Sequence, residues 1–524
     1  MSAPPARTGM KDHADELARR RAKARQMGGE EAVARQHAAG KLTVRERIER
    51  LFDKDTFTEI GVHATHAGIA PDLAGRDTPA DGVITGFGKV DGRLASVIAY
   101  DFTVMAGSMG RNAETKCNRA REIAYTKRIP MIWLIDSAGA RIQEAIGSRW
   151  FAGSGVLFRE ESVFSGVVPQ VAAMMGPGAA GTAYIPALAD FVPMVKGTSH
   201  MALGGPPLVK AVVGEEITAE ELGGSKVHTE VSGVADLEVE DDEHCLRVIK
   251  EYLAYFPSHN QEPPPVIACD DPVDRRDDDL LTILPDSPRR AYDVKKVIRA
   301  LVDHGRMLEL KPGWAKNIVT ALARLNGHPV GVVANQPMVL GGSLDLDSAD
   351  KAARFIMLCD AFGIPLVFLQ DVPGFMVGSK VERAGIIRHG AKMLYAVSEA
   401  TVPKLTVVMR KAYGAGYFVM CGRAYEPDLI VAWPTAEISV MGPEGGTNIV
   451  YRKEIAAAGH PDEERARRVE DFRKLISPYI AAGAALIDDV IDPRDTRPTL
   501  IRALEMARTK RVERPWRKHG VMPV

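Results

Sequence analysis

Cysteine is scarce in this chain. Five are scattered over 524 residues, at Cys117, Cys245, Cys269, Cys359 and Cys421, with no Cys-x-x-Cys among them. That count and spacing argue against a zinc ribbon or a thioredoxin-like centre, and buried free thiols in a reducing compartment are expected. An excess of either charge is also lacking. The 67 basic and 68 acidic residues leave a formal net charge of −1, so the overall field points to neither nucleic acid nor a membrane surface. The opening stretch, MSAPPARTGMKDHADELARRR, has no apolar segment of the kind a secretory signal needs. One uncharged run, Ser162 to Ala189, is long enough to cross a bilayer, but Pro169, Pro177, Pro186 and a glycine-rich centre interrupt it. It is read as buried strand, turn and helix rather than a membrane span. The thirteen histidines, His228 and His244 included, show no ligand spacing, and no metal site is expected. A cytoplasmic protein is expected, or a mitochondrial matrix protein in a eukaryote.

What is present is a large and ordinary globular composition, with 46% hydrophobic and 26% charged residues. That length calls for about two to four domains. Residues 11 to 53 are charged and helical in pattern. Thr43 with Glu46, and Thr218 with Glu221, have the spacing of capping boxes. The Pro- and Asp-rich stretch from Pro263 to Asp286 is the best linker, placing domains at 11–264 and 274–518.

The two halves are related. AYDFTVMAGS, ending at Ser108, matches ANQPMVLGGS, ending at Ser343; Pro130 matches Pro365, Asp136 matches Asp371, and Ala180-Gly181 matches Ala415-Gly416, all at an offset of 235 residues. One offset for four landmarks indicates duplication of a whole domain. Within each copy, apolar β-branched runs such as PMIWLID and PLVFLQD alternate with helical segments such as AETKCNRAREIAYTK and ADKAARFIMLCDAF. This predicts α/β domains with largely parallel strands buried on both faces.

Two small-residue loops follow apolar strands and open segments able to start helices: Met175-Gly-Pro-Gly-Ala-Ala-Gly-Thr-Ala-Tyr184 and Arg410-Lys-Ala-Tyr-Gly-Ala-Gly-Tyr-Phe-Val419. Small residues let backbone N–H groups approach a ligand, and a helix start leaves those groups unpaired. Such loops suit a developing oxyanion on a thioester or amide carbonyl. A tight turn that needs glycine only for packing would look the same, and recurrence at the repeat offset favours the functional reading.

These loops, together with Asp136-Ser-Ala-Gly-Ala-Arg-Ile-Gln-Glu144, Asp371-Val-Pro-Gly-Phe375, GKLTVRERIERLFD and the terminal KHGVMPV, resemble the carboxyltransferase (β) subunits of biotin-dependent acyl-CoA carboxylases, of the propionyl-CoA carboxylase β type. The likeness runs from about Lys11 to Pro515. It implies two tandem crotonase-like domains of the ClpP/crotonase superfamily. The first binds acyl-CoA, and the second, from another subunit, binds carboxybiotin. Ala180 and Gly181 would hold the thioester oxygen, and Ala415 and Gly416 the biotin ureido oxygen. Ser137, Ala138, Gly139, Arg141, Tyr184 and Phe418 would line the substrate sites. Arg141 and Lys196 carry groups suited to CoA phosphates, although for either one alone a solvated surface role is the more ordinary reading. Biotin would act as the base, which fits the lack of a protein base at either loop. The chain has neither a biotinyl Met-Lys-Met motif nor an ATP-grasp region. A biotin carboxylase and biotin carrier α subunit and a homo-hexameric β core are therefore implied.

The chain departs from the family pattern in places. Ala180 stands where many members carry glycine. Phe418 stands at a site tied to acyl-chain choice, where propionyl and acetyl types often have aspartate; an aromatic there resembles methylcrotonoyl-type enzymes or is simple core filler, whereas SAGARIQE resembles the propionyl type. A decarboxylase or transcarboxylase subunit would carry the same loops. A crotonase-type hydratase would need a placed carboxylate, for which only Asp136 and Glu144 are near, and an inactive scaffold would not need both loops intact.

Overall fold

The computed structural model describes residues 9–524. It divides into two compact units between Glu262 and Pro263. Three helices open the first unit, Met10–Arg25, Glu30–Ala38 and Val44–Leu51. The last is fixed by its capping box: Thr43 Oγ1 accepts from Glu46 N, and the Glu46 carboxylate accepts from Thr43 N. Thr218 and Glu221 do the same for Ala219–Gly223.

The first unit's strands are β1 (Thr58–Ile60), β2 (Val83–Val90), β3 (Arg93–Tyr100), β4 (Met131–Ile135), β5 (Gln170–Met174), β6 (Pro177–Ala179), β7 (Pro193–Val195), β8 (His200–Ala202) and β9 (Leu237–Val239). Seven of them form one sheet in the order β1-β2-β3-β4-β5-β7-β9, and β6 pairs with β8 alone. The β1–β2 and β2–β3 pairs are antiparallel, and from β3 onward the pairs are parallel. Every residue of β4 and β5 is buried, the signature of strands covered on both faces. The segment Ser162–Ala189, uncharged in sequence, becomes the end of a helix, β5, β6 and the helix Gly181–Leu188. Among the described residues no helix is long and apolar enough to cross a membrane.

The second unit repeats this plan with β10 (Met307–Leu310), β11 (Ile318–Leu325), β12 (His328–Asn335), β13 (Leu366–Val372), β14 (Lys404–Tyr413), β15 (Leu429–Ala432), β16 (Glu437–Ser439) and β17 (Asp489–Val490). The order is β10-β11-β12-β13-β14-β15-β17, with β16 against β14, and again two antiparallel pairs lead into parallel ones. Each unit packs its own core, around Trp133 in the first and Trp433 in the second.

The duplication reaches single hydrogen bonds. Met105-Ala106-Gly107 and Leu340-Gly341-Gly342 form the same turn, all six residues at positive φ between 51° and 79°. In each, the last glycine is pressed so close to the carbonyl of Asp136 or Asp371 that a Cβ would stand 2.3 or 2.6 Å from it. The buried Lys116 Nζ donates to the carbonyls of Ala80 and Val83. Its counterpart, Lys351 Nζ, donates to those of Ala315 and Ile318, the matching positions, and also to Lys311 and Trp314. Replacing Lys351 with methionine keeps the length and strips these carbonyls of their donor. A loss of about 3 kcal/mol is expected, read as a drop in the denaturant midpoint of the second unit's transition.

The Pro263–Asp286 stretch is irregular in backbone but is not a free linker. Ile267 N donates to Gly327 O, Arg324 Nη1 to Pro265 O, and Arg275 to Asp271, Ala300 O and Val302 O. Side chains further along the second unit claim its carbonyls, so it is tied to that unit.

Candidate functional site

In the first unit, β4 ends at Ile135 and β5 at Met174, and the loops that follow them meet. Ser137 N donates to Pro177 O at 2.8 Å. Gly139, at φ +89°, lies so close to β6 that a Cβ on it would stand 2.9 Å from Ala179 O. β6 then delivers the chain to Ala180 and the helix Gly181–Leu188. Thr182 Oγ1 closes that turn by donating to Ala179 O and accepting from Ala179 N.

Ala180 is exposed and sits at φ +51°, ψ −113°, a conformation that costs a non-glycine residue about 1–3 kcal/mol. Its N–H donates to Ala202 O at 3.2 Å. This differs from the expectation that Ala180 would offer its amide to a ligand: the β6–β8 pairing has already used it. Gly181 N–H, first in its helix, has no acceptor among the described residues.

The loop after β4 holds a second such group. Met109 N donates to Gly139 O and Arg141 N to Met109 O. This parallel bridge between Met109 and Ala140 passes over the N–H of Ala140, which is exposed and has no acceptor among the described residues. The second unit copies the device. Leu344 N donates to Gly374 O and Met376 N to Leu344 O, which leaves Phe375 N–H in the same position. Facing it, the helix Gly414–Val419 starts with Ala415 and Gly416 N–H groups that also have no acceptor among the described residues. Gly416 is held against this loop: a Cβ on it would stand 2.7 Å from Val372 Cγ2 and 3.2 Å from Gly374 Cα. The sequence reading missed Ala140 and Phe375; their only signal was their place within the duplicated loops.

Two expected substrate contacts point inward instead. Ser137 is fully buried; its Oγ donates to Gly107 O and accepts from Gly139 N. Arg141, expected near CoA phosphates, is 1% exposed. Its guanidinium pairs with Asp81 at 2.5 Å and donates to Ser108 O at 2.9 Å. With its donors spent on buried partners, it braces the loop from below and is not available to a phosphate. Lys196 stays at the surface, 3.7 Å from Glu240. Ala138 is exposed and Gly139 buried. Tyr184 is exposed, with its ring edge-on to Phe158 at 5.9 Å. Phe418 is also exposed, beside Tyr417 and Tyr425, so it is not core filler. Tyr413, which ends β14 just before the helix Gly414–Val419, is hydrogen-bonded to Glu437 on β16, and burial together with that bond pushes its phenol well above the usual range.

The helix Val156–Phe164 backs the first loop, with Phe158 Cζ 3.3 Å from where a Cβ on Gly181 would lie. Glu161, on this helix, is wholly buried, and neither carboxylate oxygen has a hydrogen-bond partner among the described residues. Burial pushes it from its ordinary 4.5 up to about 9, with Arg121 opposing. The folded chain therefore keeps a proton that the unfolded chain loses above pH 4.5, so this group's contribution to stability falls as pH rises through the window up to about 9. Glu161→Gln removes that dependence. It is expected to stabilise by about 2 kcal/mol near pH 8.5 and by far less near pH 5, read as thermal midpoints of the two proteins at both pH values.

The paired loops at the ends of parallel strands, in two copies, define a tandem crotonase-like enzyme. The carboxyl transferase domain family matches residues 35–522, and the chain belongs to that family and is a carboxyltransferase. It is similar to the carboxyltransferase subunit of propionyl-CoA carboxylase from Haloferax mediterranei, at 47% identity over 98% of this chain and all of that one. It is also similar to methylmalonyl-CoA decarboxylase subunit alpha from Veillonella parvula, at 46% identity over 96% of this chain and 97% of that one. A solved structure of the transcarboxylase 12S hexamer, with methylmalonyl-CoA and methylmalonic acid bound, superposes with a TM-score of 0.94 at 45% identity, covering 99% of this chain and all of that one.

Proposed function

We propose that the chain exchanges a carboxyl group between carboxybiotin and the α-carbon of a short-chain acyl-CoA, with propionyl-CoA and methylmalonyl-CoA as the preferred pair. The observation that carries this is the recurrence, in both units, of N–H groups from two abutting loops that have no acceptor among the described residues. In the first domain (11–264), Ala140 and Gly181 N–H groups hold the thioester oxygen as it gains enolate charge. In the second (274–518), Phe375, Ala415 and Gly416 N–H groups hold the ureido oxygen of biotin. Donors fixed in the backbone need no reorganisation as charge develops. Ala138 and Tyr184 line the acyl side, and Phe418 the biotin side. Biotin supplies the carboxyl group and the base for the α-proton, so the chain's task is to bind, orient and stabilise charge. The names of the relatives, which include a carboxylase and a decarboxylase, support one site working in either direction.

The relative solved as a hexamer supports a homo-hexameric core here. Biotin would arrive on a carrier subunit that also bears the biotin carboxylase, in the cytoplasm or, in a eukaryote, the mitochondrial matrix. The test is the reverse reaction with purified protein and free biotin, following biotin-dependent decarboxylation of malonyl-, methylmalonyl- and 3-methylglutaconyl-CoA. Methylmalonyl-CoA is expected to react fastest. Preference for 3-methylglutaconyl-CoA would move the assignment to the methylcrotonoyl type. Inactivity towards all three, with the α subunit present, would reject it.

A further inference from the structure

The duplicated aspartates, Asp136 and Asp371, are both fully buried at the strand ends from which the loops depart. Each is paired with an arginine. In the second unit the arginine is local: Arg410 Nε donates to Asp371 Oδ2 at 2.9 Å from the strand that leads into the second loop, and Lys411 N donates to Oδ1. The position matching Arg410 in the first unit is Met175, at the same offset of 235. There the guanidinium comes from Arg47, 89 residues before Asp136. Its Nη1 donates to Asp136 Oδ2 at 2.9 Å, its Nη2 to Met175 O at 3.1 Å, and its Nε to Asp242 Oδ2 at 2.8 Å. Lys41 Nζ and Gln36 Nε2 complete the shell around Asp136. Gly176 lies so tight against this carboxylate that a Cβ would stand 1.9 Å from Oδ1.

One guanidinium thus holds the root of both loops of the acyl site: Asp136, which opens the loop to Ala140, and Met175, which opens the loop to Gly181. We infer that Arg47 is a positioning residue for carboxyl transfer, supplying from an N-terminal helix the clamp that Arg410 supplies from within its own strand. The inference rests on the proposed roles of Ala140 and Gly181. A guanidinium reaches three acceptors in fixed geometry where an ammonium cannot, and a small misplacement of either loop costs rate rather than binding.

The test uses the full chain. Arg47→Lys keeps a cation in the buried cluster and so preserves folding. It is expected to lower kcat about tenfold, with KM for methylmalonyl-CoA within about twofold of the parent. An unchanged kcat, or a loss appearing only as raised KM, overturns the inference. In the second arm, Arg47→Met and Asp242→Asn are combined with Met175→Arg, which moves the guanidinium to the place it occupies in the other unit without leaving the Asp242 carboxylate buried and unpaired. Recovery of kcat to within about threefold of the parent supports the clamp; a folded triple variant without recovery overturns it. Gly181→Pro is run alongside. If that variant turns over normally, the oxyanion reading itself has failed, whatever the two Arg47 variants do.

Discussion

Gly181→Pro is expected to lower kcat for carboxyl transfer by about 10²–10³-fold, the effect of removing one donor from an oxyanion site. Gly181 is the first residue of its helix, a position where proline is tolerated because the missing N–H has no helical partner. The helix therefore survives and the proposed donor is lost, but the ring also strains Ala180 before it, held at φ +51°, ψ −113°, so the expected fall combines both effects. The Ala180 N–H cannot substitute, since it is committed to Ala202 O. Gly181→Ala is the control: it keeps the N–H and adds a methyl 3.3 Å from Phe158 Cζ, which a small ring displacement accommodates, so kcat is expected to stay within about threefold. Steady-state rates with methylmalonyl-CoA and free biotin, together with circular dichroism to verify folding, decide the matter. A folded proline variant with the parent's kcat would remove Gly181 from the site.

The contrast between Ala180 and Gly181 shows where sequence reasoning reached its limit. Strands such as PMIWLID were legible because burial on both faces leaves a local, unbroken apolar run. The repeat was legible because duplication preserves spacing, and the structure carries it down to Lys116 and Lys351. What decides the fate of a single N–H or guanidinium is not local. Ala180 is bonded to a carbonyl on a strand 22 residues later. Arg141 is buried by Asp81, 60 residues earlier, and its position within SAGARIQE gives no sign of that. Ala140 and Phe375 stand out only once the bridges to Met109 and Leu344 are in place. The Pro- and Asp-rich stretch was legible as irregular, but its attachment to one unit depends on Arg275 and Arg324, which composition does not report.

The second large effect is expected at Ala415. Gly416→Pro mixes two losses, because any Cβ there collides with Val372. Ala415 is exposed and lies in the first turn of its helix, where proline removes a donor that no carbonyl of the described residues uses. The preceding residue is Gly414 at φ +54°, and glycine is the residue least restricted by a following proline. Ala415→Pro is therefore expected to lower kcat by about 10²-fold while leaving the affinity for methylmalonyl-CoA, measured by calorimetry without biotin, unchanged. That pairing of results would assign the second loop to the carboxyl donor. Weakened acyl-CoA binding would place the acyl group on the second unit instead, and normal turnover by the folded variant would leave Phe375 and Gly416 as the only donors on that side.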